Sequence, residues 1–180
     1  MKTKLLLFVM LFVLVVSVDA QTKSDAKDTK LYTIGIGGMI GIPAGSSSTE
    51  VFNSIYGFDL TGEYHIAPSI GLTLSAGYAE WAMKQYYRDF FDASGVSFST
   101  GLVPVLAGVK YYFDDKIYGS VQAGFSFYTQ SGIGNAFTSA YGVGYKVSDK
   151  FDLSLIYEIT GNGGQGDKDQ FLGLRAGITF

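Results

Sequence analysis

The sequence predicts an all-β fold: one eight-stranded antiparallel transmembrane up-and-down β-barrel over residues 31–180. Three observations predict it. Large apolar residues alternate with small or polar ones, period two, in eight successive segments; such alternation marks a strand with two different environments. The connections between segments run long, short, long, short, long, short, long. Aromatic residues reach 16% and charged residues only 16%, with 24 Gly and 3 Pro, whereas ordinary globular chains carry about 25% charged residues. That composition suits many strands and aromatic belts.

The N-terminus decides the solvent in which the rest folds. Lys2 and Lys4 precede an apolar run from Leu5 to Val18 broken only by Ser17, and Val18-Asp19-Ala20 follows. A basic start, a short apolar core and a small-residue end describe a secretory signal peptide over residues 1–20, cut after Ala20. The run is short for a bilayer-spanning helix, which needs about 20 residues. Gln21 to Lys30 is polar and charged and reads as a flexible periplasmic lead-in.

Residues 32–42 set Tyr32, Ile36, Ile40 and Ile42 against Thr33, Gly35, Gly37, Met39 and Gly41, and Pro43 ends the run. The second segment sets Tyr56, Phe58, Leu60, Tyr64 and Ile66 against Asp59, Thr61, Glu63 and His65, and Ala67-Pro68 turns the chain. The third carries Ile70, Leu72, Leu74 and Tyr78 on its apolar face. Alternation then lapses, so residues 81–97 read as a large loop. The fourth has Val103, Val105, Val109, Tyr111 and Phe113 opposite Leu106, Gly108, Lys110 and Tyr112, before the turn Asp114-Asp115-Lys116. The fifth has Val121, Phe125 and Phe127 opposite Tyr118, Gln122 and Ser126. The sixth has Phe137, Tyr141, Val143 and Tyr145 opposite Thr138, Ala140, Gly144 and Lys146, before Ser148-Asp149-Lys150. The seventh has Phe151, Leu153, Leu155 and Tyr157 opposite Asp152, Ser154 and Glu158. A Gly-rich loop over residues 161–169 leads to the last segment, with Leu172, Leu174, Ala176, Ile178 and Phe180 opposite Gly173, Arg175, Gly177 and Thr179.

The three short turns all follow even-numbered segments. A barrel with both termini in the periplasm has short periplasmic turns and longer outer loops. A soluble sandwich also alternates, but its wet face carries more Lys and Glu. Here the second face is Gly, Ala, Ser and Thr, which a narrow eight-stranded interior can hold. Aromatics near both strand ends match the two membrane interfaces.

The signal peptide, the eight amphipathic strands and the terminal Phe180 resemble the small outer-membrane barrels of Gram-negative bacteria, the OmpX and OmpA transmembrane-domain type. Val105 to Phe113, followed by Asp114-Asp115-Lys116, is similar to the outer membrane protein β-barrel domain family. The resemblance implies a monomer in outer-membrane lipid. It also implies that the barrel-assembly machinery reads the last strand, where Ile178 and Phe180 fit the signal. Arg175 stands where that signal most often has glycine.

Parity sends Asp59, Glu63, His65, Lys110, Lys146, Asp152, Glu158 and Arg175 into the lumen. Buried charges are costly unless paired, so a plug of salt bridges is expected, with Glu158 and Arg175 on neighbouring strands as one pair. The partner-binding candidate is the loop over residues 81–97. Its Trp81, Met83, Tyr86, Tyr87, Arg88, Phe90 and Phe91 are of the types that binding hot spots use.

The chain's net charge is −3, and loss of Lys2, Lys4 and Asp19 takes it to −4, which argues against nucleic acid. One His and no Cys make a transition-metal site or other cofactor unexpected. Lipid A deacylases place a Ser/His/acid set at the lipid face. Here His65 lies inward by parity and is followed by Ile66-Ala67-Pro68, without their H-x-S spacing. The expected role is therefore structural or surface-interacting and not enzymatic. A passive channel for small apolar solutes is the alternative.

Overall fold

The computed structural model describes residues 31–95, 100–130, 132, 134–161 and 168–180. The signal peptide and the lead-in over residues 21–30 lie outside the described residues. Eight strands form one closed antiparallel barrel in chain order. They are β1 (Tyr32–Pro43), β2 (Phe52–Ala67), β3 (Ile70–Met83), β4 (Gly101–Tyr112), β5 (Ile117–Tyr128), β6 (Asn135–Lys146), β7 (Phe151–Gly161) and β8 (Lys168–Thr179). β1 closes the barrel on β8, with Gly38 opposite Ala176 and Ile36 opposite Ile178. Closure leaves no open edge, which hydrocarbon could not satisfy.

Two of the long connections carry helices. Helix α1 (Ser46–Val51) lies between β1 and β2, and α2 (Gln85–Ala93) follows β3. Among the described residues no helix is long and apolar enough to cross a membrane; the crossing is made by strands.

Parity sorts the side chains as a barrel in lipid requires. Ile40 is 67% exposed on the outer wall and Thr138 is 0% exposed inside. Tyr64, Tyr111, Tyr145 and Phe180 lie outward near the turn side, and Tyr56, Phe58, Phe125 and Phe137 outward near the loop side. Full exposure of a Leu, Ile or Phe to water forfeits about 1.5–3 kcal/mol each. A belt of this size is stable only against hydrocarbon.

The β4–β5 turn shows how the short connections hold. The Asp114 carboxylate accepts the Ile117 and Lys116 N–H groups, each at 2.7 Å. These bonds, the one from Ile117 first, keep its acid below the usual carboxylate range. The turn is therefore best closed above that range and loosens as acid protonates Asp114.

Between β4 and β5 the backbones approach too closely for side chains on the inner face. A Cβ at Gly124 would strike the Val105 carbonyl oxygen, and one at Gly108 the Val121 carbonyl oxygen. Both obstacles are backbone, so neither can swing aside. Gly124→Val is expected to prevent closure, read as loss of the heat-sensitive mobility shift of the folded barrel on gels. A normal shift would show that β4 and β5 can separate.

Candidate functional site in the lumen and at the outer rim

The lumen is built in three levels. The lowest, at the turn side, centres on Glu63, which is 7% exposed. Its carboxylate accepts Lys110 Nζ at 2.8 Å and the Tyr112 hydroxyl at 2.7 Å, and His65 Nε2 lies 3.3 Å away. The His65 ring stacks on Tyr112 at 5.7 Å. Lys146 sits over the other part of this group, 4.2 Å from the Tyr112 ring centre.

The middle level is held by Arg175. Its guanidinium donates to Asp59 twice, Nε to Oδ2 at 2.7 Å and Nη2 to Oδ1 at 2.8 Å. Nη1 lies 3.6 Å from Asp152 Oδ2, and Asp152 also accepts the Tyr118 hydroxyl. A bidentate arginine between two carboxylates is the strong form of such a pair. The register explains the space it occupies. Asp152, Gly177, Gly37 and Asp59 form one inward row across β7, β8, β1 and β2. A Cβ at Gly37 or Gly177 would collide with the Arg175 guanidinium. The glycine-rich start of β1 is thus the hollow into which the arginine folds. The same device recurs: Gly71 makes room for the Glu63 carboxylate, and Gly144 for the Tyr118 ring. Between the two ionic levels lies a polar cavity of about 70 Å³, lined by Glu63, Lys110, Gln122, Asp152 and Arg175 among others. It has room for a few waters.

The upper level, toward the long loops, is apolar. Ile55, Ala79, Trp81, Leu102 and Phe171 pack together, each 5% exposed or less. The Trp81 ring meets Phe171 edge-on at 5.9 Å and Phe52 at 5.1 Å. Beside this cluster a ladder of hydroxyls runs across β5, β6 and β7. Thr138 Oγ1 donates to Ser126 Oγ at 2.7 Å and lies 3.1 Å from Thr160 Oγ1. Thr160 reaches Glu158 Oε1 at 3.5 Å.

Above the lumen, α2 forms part of the outer rim. Tyr86 and Phe90, four residues apart and so on one helix face, are 77% and 61% exposed. Tyr87 packs edge-on against Tyr86, and Phe91 against Phe90. Lys84 ties the rim together by donating to the Thr49 carbonyl at 2.6 Å.

A family model described as "Outer membrane protein beta-barrel domain" matches residues 8–180. The chain belongs to this family. Membership places the barrel in an outer membrane, with the apolar belt in lipid. Solved structures similar to the chain include Ail, the attachment invasion locus protein of Yersinia pestis, at 15% identity and TM-score 0.52, covering 83% of this chain and 97% of that one. The N-terminal β-barrel domain of Pseudomonas aeruginosa OprF matches at 14% identity and TM-score 0.51, covering 82% and 97%. The outer membrane enzyme PagL matches at 15% identity and TM-score 0.52, covering 80% and 98%. At such identities the likeness is one of fold. Among curated protein sequences none matches.

Within this outer-membrane barrel, several sequence expectations need correction. Trp81 and Met83 are not in a loop. β3 runs on through Met83, and Trp81 points into the lumen at 4% exposure. The alternation continues there, but the outward partner is Glu80, whose charge hides the apolar face. Only α2 and its neighbours remain of the partner-binding loop, with Ser97 outside the described residues. Of its aromatics, Tyr87 and Phe91 are half-buried. Glu158 and Arg175 do not pair: Arg175 lies opposite Ser154, and Glu158 lies opposite Phe171, one level higher. Lys146 makes a contact with an aromatic face and, among the described residues, no ion pair within 4.0 Å. The apolar seal was the feature missed. Ile55, Leu102 and Phe171 each have inward parity, but large-outward, small-inward sorting does not hold at the loop end.

Proposed function

We propose that this barrel is a non-enzymatic outer-membrane protein with a structural and surface-interaction role, closed through its lumen and meeting its partner at α2. The exposed pair Tyr86 and Phe90, on one face of α2, carries the reading. Exposed aromatics are what hot spots use. His65 supports the absence of catalysis: it lies in the lumen against Glu63 and Tyr112, away from the lipid face. The apolar seal and the salt bridges oppose a passive channel for small solutes. Export with cleavage after Ala20, a monomeric state and assembly through Ile178 and Phe180 belong to the same proposal. Both of those last-strand side chains are exposed on the outer wall, at 49% and 67%.

The test replaces Tyr86 and Phe90 by Ser together. The variant is expected to keep the gel mobility shift of the folded barrel and to reduce several-fold the attachment of intact cells to surfaces and to each other. Unchanged attachment by a folded, surface-displayed variant would remove α2 from the proposal.

A further inference from the structure

The outer wall is not smooth. Across β7, β8, β1, β2 and β3 one outward row reads Leu153, Ala176, Gly38, Phe58 and Tyr78. Ala176 and Gly38, side by side within it, are its smallest residues. A Cβ built at Gly38 meets nothing within 4 Å. The result is a groove of about 670 Å³ on the lipid-facing wall, floored at Gly38 and Ala176 and walled by Leu153, Leu174, Ile40 and Phe58. Four interstrand steps of about 4.8 Å make the row roughly 19 Å long, the scale of an extended acyl chain.

The end of the groove at β3 is polar. Tyr78 lines it, and the Tyr78 hydroxyl donates to Glu80 Oε2. Thr100 Oγ1 donates to Glu80 Oε1 at 2.9 Å. Glu80 faces outward, because Ala79 and Trp81 on either side are buried inside and its partner across the strands is the exposed Tyr56. β3 rises toward the loops, so Glu80 stands above the groove, near the outer interface. A charge on the lipid face is costly at the bilayer midplane and tolerated near the interface. Both carboxylate oxygens are fixed by hydroxyl donors and keep lone pairs for a further donor.

We propose that this groove binds one acyl chain of an outer-leaflet lipid whose ammonium head group donates hydrogen bonds to Glu80. The occupant follows from position and charge. The groove is continuous with the lipid-facing belt, so what fills it comes from the bilayer, and its polar end is a carboxylate, which selects a cationic donor. The chain lies along Gly38 and Ala176, and the head rests at Tyr78 and Glu80.

The experiment is native mass spectrometry of the full barrel released from nanodiscs of phosphatidylethanolamine or of phosphatidylcholine with the same acyl chains. Both head groups are zwitterionic with a positively charged nitrogen, but only the first has N–H donors. Wild type is expected to retain one phosphatidylethanolamine several-fold more often than one phosphatidylcholine. Gly38→Leu fills the floor and is expected to lose retention of both. Glu80→Gln is expected to keep one lipid but lose the preference. Ala176→Leu fills the same floor and takes the place of Gly38→Leu if that variant does not fold. Equal retention by wild type and the filled-floor variant overturns the groove, and equal retention of both lipids by wild type overturns the head-group contact.

Discussion

Phe171→Ala is expected to uncover Trp81 to water and to destabilise the barrel severely. Trp81 is the single tryptophan of the chain, so its fluorescence reports the seal without labelling. The two rings meet edge-on at 5.9 Å, and Phe171 is 1% exposed. Truncating a buried phenylalanine to alanine costs about 3–5 kcal/mol, from lost transfer energy and the cavity left behind. Here the cavity opens toward the loops, so water replaces the ring. Acrylamide or iodide added from the outer side should quench Trp81 several-fold more in the variant than in wild type. The unfolding free energy obtained by urea titration in liposomes should fall by about 3–5 kcal/mol, with a lower midpoint. Unchanged quenching would mean that Phe171 is not part of the barrier.

Arg175→Ala is expected to lower stability by a similar amount through a different cause. The guanidinium is 13% exposed and spans Asp59 and Asp152. Its removal leaves two carboxylates facing each other in a narrow interior. Breaking a buried pair by removing one partner costs about 3–5 kcal/mol, because an uncompensated charge remains. The loss should appear as a lower midpoint in the temperature-dependent gel shift. Removing a carboxylate as well, in Arg175→Ala/Asp59→Ala, should restore part of it. An unshifted midpoint in the single variant would show that waters or Lys110 carry the network without the arginine.

The barrel was legible because two independent signals coincide. Alternation assigns the faces, and the spacing of Pro68, Asp114-Asp115 and Ser148-Asp149 assigns the turn side. Lumen contacts were legible only in part. Parity puts Asp59 and Arg175 on the same side of the wall, but their meeting depends on the β1 register to both β2 and β8, which only closure fixes. Once that register is known, the glycines at positions 37 and 177 indicate where the guanidinium lies. Trp81 was misread because Glu80 outside and Trp81 inside invert the usual assignment of charge and bulk. That inversion occurs where the wall leaves the hydrocarbon and a charge outside is tolerated, while bulk inside closes the lumen.

The barrel is closed, apolar at its outer end and cross-linked by Arg175 and Glu63 below. The lumen can be probed by planar-bilayer recording of the purified wild-type protein. No steady conductance is expected. A steady, stepwise, solute-sensitive current from the wild-type protein would mean that the lumen is open.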